Sequence, residues 1–95
     1  MLTLDTINKI LNIQNNNGET LKIISCIMSN SDLFTFIDSY KINDIVHQDI
    51  YGNTIYHYIC MNEILFEYCI DNKYVNKYGY TPLDYTELKT LWKIA

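Results

Sequence analysis

Residues 49–60 read Asp49-Ile50-Tyr51-Gly52-Asn53-Thr54-Ile55-Tyr56-His57-Tyr58-Ile59-Cys60, a tight turn that opens directly into a helix. Gly52 supplies backbone freedom at the turn, and Thr54 can cap the helix that follows. The pattern recurs. The chain has 3 glycines, Gly18, Gly52 and Gly79, and each is followed two positions later by threonine, at Thr20, Thr54 and Thr81. This register divides the chain.

Outward from that stretch, the 95 residues suit one domain with a modest core, 1–95. A 48% apolar and 19% charged composition is that of a folding chain rather than a disordered one. Net charge is −4, with seven scattered lysines and no arginine. That leaves no basic footprint for nucleic acid. Residues 1–5 carry no positively charged leader, and no apolar run approaches the roughly 18 residues of a membrane span. The expectation is a soluble, cytoplasmic chain, with the nucleus as an alternative. Three cysteines, Cys26, Cys60 and Cys69, are odd in number and unframed for disulfides, which suits a reducing compartment. Abundant Ile, Asn, Tyr and Lys, with alanine only at Ala95, is the bias of an AT-rich genome.

Apolar spacing predicts a short amphipathic helix over residues 4–13, with Asp5 placed for the helix dipole. The run 14–18, three asparagines and a glycine among them, ends it as a solvated turn. From Thr20 a second helix reaches Met28, and Asp32 opens a third that closes near Ser39, making a helical hairpin. An extended tail over 42–48 returns to the next turn.

The spacing from Gly18 to Gly52 is 34 residues, close to the repeat of about 33 that marks one helical array. Gly52-Asn53-Thr54-Ile55-Tyr56-His57 resembles the ankyrin signature Gly-x-Thr-Pro-Leu-His. Gly79-Tyr80-Thr81-Pro82-Leu83-Asp84 is similar to it more closely still. Thr81 as cap, Pro82 at the first helical position and Asp84 in the first turn form a full helix-start signal. The resemblance implies an all-α fold: a short ankyrin-repeat solenoid of about three helix-turn-helix units behind an N-terminal capping helix. The divisions are 1–14 for the N-terminal helix, 15–48 for repeat 1, 49–75 for a shortened repeat 2 and 76–95 for a C-terminal repeat or cap. The departures are specific. The first unit keeps only Gly-x-Thr, the second has Ile55 for proline, and Gly52 to Gly79 is only 27 residues. The last unit is expected to break after about Glu87, leaving at most two turns of second helix. Composition and irregularity resemble ankyrin proteins of large DNA viruses, poxviruses especially.

No phosphate-binding glycine loop, Gly-x-Ser-x-Gly elbow or His-Glu-x-x-His helix is present, so no catalytic residue, metal ligand or cofactor is assigned. By resemblance, His57 bonds the Thr54 hydroxyl and nearby backbone as a structural histidine. His47 has no obvious partner. His57, Cys60 and Cys69 offer three zinc ligands in principle, but Cys60 falls 34 residues after Cys26, where cysteine acts as a compact apolar filler.

Aligning the second and third units pairs Ile50 with Lys77, Tyr51 with Tyr78, Asn53 with Tyr80, and Tyr58 with Tyr85. In the ankyrin fold, turn tips and the outward side of the first helix line a concave groove. The resemblance therefore implies partner binding at Ile50, Tyr51, Asn53, Tyr58, Lys77, Tyr78, Tyr80 and Tyr85, tyrosine being a rigid contact residue with few rotors. The alternative is that some of these rings pack between units. The function expected is a non-enzymatic protein-binding module. If viral, its partner is a host protein of immune signalling or ubiquitin ligation, bound as a competitor because the chain has no room for an F-box-like segment. The alternative is self-association, as a homodimer, through apolar Leu91, Trp92 and Ile94.

Overall fold

The computed structural model describes residues 3–40, 45–62 and 70–94. Five helices follow one another: α1 (Leu4–Leu11), α2 (Leu21–Ile27), α3 (Ser31–Asp38), α4 (Ile55–Asn62) and α5 (Pro82–Ile94). Among the described residues there is no strand, so the all-α expectation holds.

Each start has a chemical reason. Thr3 caps α1 by accepting the Thr6 N–H at 3.1 Å, and Thr20 caps α2 by accepting that of Ile23 at 3.3 Å. The α3 cap is Asn30, whose Oδ1 accepts the Leu33 N–H at 3.1 Å, so this helix begins ahead of Asp32. At α5, Pro82 takes the first helical position and Asp84 Oδ2 reaches back to the Thr81 N–H at 2.8 Å.

The ends are equally local. Asn12 closes α1 two residues earlier than the apolar spacing predicts, its Nδ2 donating to the Asn8 carbonyl at 2.8 Å. Between α2 and α3, the Asn30 N–H donates to the Ser25 carbonyl at 2.9 Å and the Ser29 N–H to that of Cys26 at 3.0 Å. This joint places Ser29 at φ 54°, a left-handed position that usually takes glycine. The break expected after Glu87 does not occur, and α5 runs on to Ile94. The span 86–94 holds no glycine, proline or asparagine, while Glu87, Leu88, Lys89 and Leu91 are good helix formers. The shortening expected of the middle unit at 60–63 and 71–74 meets a helix that runs through Asn62, and residues 63–69, like part of the expected tail at 41–44, lie outside the described residues.

The helices form a row in which α4 packs between α2 and α5, while α3 backs α2. Lys22 and Asp38 join α2 to α3 at 2.7 Å in a largely covered setting. The core is Ile23, Cys26, Phe34, Ile55, Tyr58 and Ile59, with Tyr56, Met61 and Ile70 against it. Because α4 has neighbours on both sides, it buries Ile55, His57, Tyr58, Ile59 and Cys60, whereas α1 buries no residue fully. The molecule measures 51 × 25 × 21 Å, the shape of a row rather than a ball.

Candidate functional site

The three glycine turns stack along one edge of the row, each built by the same bonds. The glycine N–H donates to the carbonyl three residues back, from Gly18 to Asn15 at 2.9 Å, Gly52 to Asp49 at 3.0 Å and Gly79 to Asn76 at 3.1 Å. The N–H groups of Asn15, Asp49 and Asn76 in turn donate to the carbonyls of Glu19, Asn53 and Tyr80 at 2.9, 3.0 and 2.9 Å. All three glycines have positive φ, 76°, 76° and 84°.

One side-chain oxygen organises each turn. Asn15 Oδ1 accepts the N–H groups of Asn17 and Glu19, Asp49 Oδ1 those of Tyr51 and Asn53, and Asn76 Oδ1 those of Tyr78 and Tyr80, all at 2.8–3.0 Å. Short polar side chains readily bond backbone two residues on, which is why Asn and Asp serve here. Reading the asparagine run as a solvated turn does not by itself reveal this role. The signal was available: an Asn or Asp stands three residues before every glycine.

Successive turns are joined by one repeated bond. Ile50 N–H donates to the Asn17 carbonyl and Lys77 N–H to the Tyr51 carbonyl, each at 2.9 Å. A Cβ added at Gly18 would lie 2.8 Å from Asp49 Cα, and one at Gly52 would lie 3.0 Å from Lys77 N. The turns approach too closely for any side chain there.

Two of the residues expected to contact a partner are interior. Tyr58 is 8% exposed and its hydroxyl donates to Asp49 Oδ2; burial and this carboxylate push its pKa up, so it stays a donor. Asn53 is 5% exposed, its Oδ1 accepting from Asn76 Nδ2 at 2.8 Å and its Nδ2 lying 3.4 Å from the Tyr58 hydroxyl. Tyr85 is half-buried and accepts from Asn76 Nδ2 at 2.8 Å. Asp49, Tyr58, Asn53, Asn76 and Tyr85 thus form a polar thread beneath the second and third turns. The reason is geometric. A tyrosine six residues after the turn glycine sits under its own turn, within reach of the Asp or Asn that builds it.

Ile50, Tyr51, Lys77, Tyr78 and Tyr80 are on the outside, as expected. Tyr51 is 48% and Tyr78 64% exposed, and their rings lie side by side with centroids 6.4 Å apart and planes at 23°. Tyr80 meets Tyr85 edge-on at 5.5 Å. The exposed surface is therefore a ridge of turn tips, with the first-helix tyrosines beneath it.

His57 is fully committed to the framework. Its Nδ1 accepts the Thr54 N–H at 3.0 Å and lies 2.9 Å from Thr54 Oγ1, so Nε2 carries the proton and donates to the Tyr80 carbonyl at 3.0 Å. Burial lowers its pKa, against opposing pulls from that carbonyl, Asp49 and Asp84. His47 does have a partner, Asn12 Oδ1 at 2.9 Å from its Nε2.

Neither described cysteine is primed for chemistry. Burial pushes the Cys26 thiol up to about 12 and raises that of Cys60, so both are protonated near neutrality. Of the zinc set considered, Cys69 lies outside the described residues and His57 has both nitrogens engaged. Among the described residues no three His, Cys, Asp or Glu side chains converge on a metal position, and no helix is long and apolar enough to cross a membrane. Compared with protein-family models and with curated proteins, the chain matches none.

Proposed function

We propose that this chain is a short ankyrin-type solenoid acting as a non-enzymatic protein-binding module. Its partner would engage the ridge formed by Ile50, Tyr51, Lys77, Tyr78 and Tyr80. The observation that carries the reading is the Tyr51–Tyr78 pair, two large rings left 48% and 64% exposed on turns whose backbone is tied at 2.9 Å. Rigid aromatic residues on a preorganised platform give contact area with little ordering cost. Lys77 beside them favours a partner that offers a carboxylate along with an apolar surface. A viral origin, with a host signalling protein as partner and the host cytoplasm as its place, is the extension that the repeat resemblance and the AT-rich composition support.

The test is capture from host-cell lysate by the wild type against a Tyr51→Ala, Tyr78→Ala double variant of equal thermal stability. The reading requires a partner retained by the wild type and lost by the variant. Equal recovery from both, or no retained protein, overturns it.

A second reading, self-association through the end of α5, has one observation in favour: Leu91 is 64% exposed. The Trp92 and Ile94 side chains expected to join it lie outside the described residues. A mass unchanged by Leu91→Asp would count against it.

A further inference from the structure

The three glycine turns share their bonds but not the residue ahead of the glycine, which is Asn17, Tyr51 and Tyr78 in turn. Glycine is compelled at position 18, because a Cβ there would lie 2.8 Å from Asp49 Cα. Its neighbour is not compelled, since tyrosine fills the same place in both later turns. The first turn therefore carries Asn17-Gly18, whereas at every other asparagine of the chain the next residue has a side chain.

That pair has a chemistry of its own. The backbone nitrogen that follows an asparagine can attack the side-chain carboxamide carbon, and glycine, with no Cβ, obstructs the approach least. A bond forms between Gly18 N and Asn17 Cγ, closing a succinimide ring. The carboxamide nitrogen leaves as ammonia, taking up the proton that the Gly18 N–H gives up. Water then adds at one of the imide carbonyls and the C–N bond at that carbon breaks, leaving either aspartate or isoaspartate at position 17. Nothing is oxidised or reduced, and water is the co-reactant.

The fold decides when this happens and what it does. Asn17 is exposed to water at the tip of its turn. The attacking nitrogen is held, because the Gly18 N–H donates to the Asn15 carbonyl at 2.9 Å, while Asn15 Oδ1 accepts the N–H groups of Asn17 and Glu19 at 3.0 and 2.8 Å. Attack therefore waits on opening of the first turn. The consequence falls on the stack, since the Asn17 carbonyl accepts the Ile50 N–H at 2.9 Å and so ties the first turn to the second. In isoaspartate the main chain runs through Cγ. The former carbonyl then leaves the backbone as a carboxylate branch, and the chain between Asn17 Cα and Gly18 gains a carbon.

We propose that Asn17-Gly18 is a self-modification site whose reaction reads the opening of the first turn, and that its isoaspartate product releases that turn from the second. The next joint, from the Lys77 N–H to the Tyr51 carbonyl, has tyrosine in the corresponding place and is spared. The chemistry involves none of the ridge side chains, so it stands apart from the binding reading above.

The test is incubation of the full chain at mildly alkaline pH, native and in urea. Peptide mass spectrometry locates the exchange of NH2 for OH, and an isoaspartyl methyltransferase counts the isoaspartate. Asn17 is expected to react ahead of every other asparagine, about ten- to a hundredfold more slowly in native protein than in urea, the factor by which opening limits attack. Asn17→Gln, which would have to close a larger ring, is the unreactive control. In aged native protein the Ile50 N–H should exchange faster than in fresh protein and in the control, with Lys77 unchanged. Another asparagine reacting first, equal rates in native protein and urea, or native protein still unmodified after about a hundred times the half-time in urea overturns the proposal. So does isoaspartate at 17 with Ile50 exchange as slow as in fresh protein.

Discussion

His57 and Tyr80 are joined by a hydrogen bond of 3.0 Å from the imidazole Nε2 to the Tyr80 carbonyl, which links the start of α4 to the turn of the following unit. The other nitrogen accepts the Thr54 N–H at 3.0 Å. One neutral ring therefore caps its own helix and holds the neighbouring unit, and it does both only while Nδ1 is unprotonated.

This makes stability depend on pH with a definite sign. The His57 pKa is lowered from 6.5 in the folded chain, chiefly by burial, so below that value the unfolded state binds more protons than the native state. Its contribution is fully present above about pH 6.5 and is lost as the pH falls below it. Urea titrations between pH 7 and pH 5 should show a falling unfolding free energy, and His57→Ala should flatten the part of that slope nearest pH 6.5. An unchanged slope would mean that His57 does not titrate differently on folding.

Tyr58 and Tyr51 should separate cleanly on substitution. Tyr58→Phe removes the donor to Asp49 Oδ2 and leaves a buried carboxylate oxygen short of a partner, at a cost of about 1–3 kcal/mol. Tyr51→Ala removes a half-exposed ring and should cost no more than about 0.5 kcal/mol. Chemical denaturation of both variants is the check, and equal losses would place Tyr58 outside the buried thread.

Gly52 and Gly79 share a left-handed φ and differ only in what faces them. Alanine at either position meets a backbone penalty of about 1–2 kcal/mol. At Gly52 its methyl also meets Lys77 N at 3.0 Å and Asn76 Cα at 3.1 Å, whereas at Gly79 it meets nothing. The close contact adds about 1–3 kcal/mol at Gly52 alone. Thermal melts of the two variants should differ accordingly, with Gly52→Ala the lower.

Ser29 offers the opposite sign. At φ 54° it carries a left-handed penalty of about 1–2 kcal/mol that glycine avoids. Glycine's larger unfolded-state entropy returns about 0.4–1 kcal/mol of that gain. Ser29→Gly should therefore stabilise the protein by about 0.5–1 kcal/mol in urea unfolding; a loss would show that the serine side chain contributes more than its backbone costs.

The helix starts were legible because the residues that make them act over three or four positions. Thr20, Pro82 and Asp84 do in the structure what their spacing suggests. The structural part assigned to His57 by resemblance matches its bonds. The polar thread was harder to read, since the burial of Tyr58 and Asn53 depends on Asp49 and Asn76 lying below turns that only the stacking brings together. Tyr58 and Tyr85 each lie beneath their own turn, bonded to Asp49 and Asn76, and that is why neither belongs fully to the surface. The continuity of α5 past Glu87 differs from the repeat pattern for another reason: the pattern implies a break where the local residues carry no helix-ending signal.

One repeated backbone bond holds the turns together, and amide hydrogen exchange resolved by residue on dilute protein reads that bond directly. The N–H groups of Ile50 and Lys77, each 2.9 Å from its acceptor in the preceding turn, should exchange far more slowly than an unstructured chain, while the N–H of exposed Asn16, two residues before Gly18 and without a hydrogen-bond partner among the described residues, exchanges at close to the unstructured rate. Exchange at Ile50 and Lys77 as fast as at Asn16 would contradict the stacked-turn architecture.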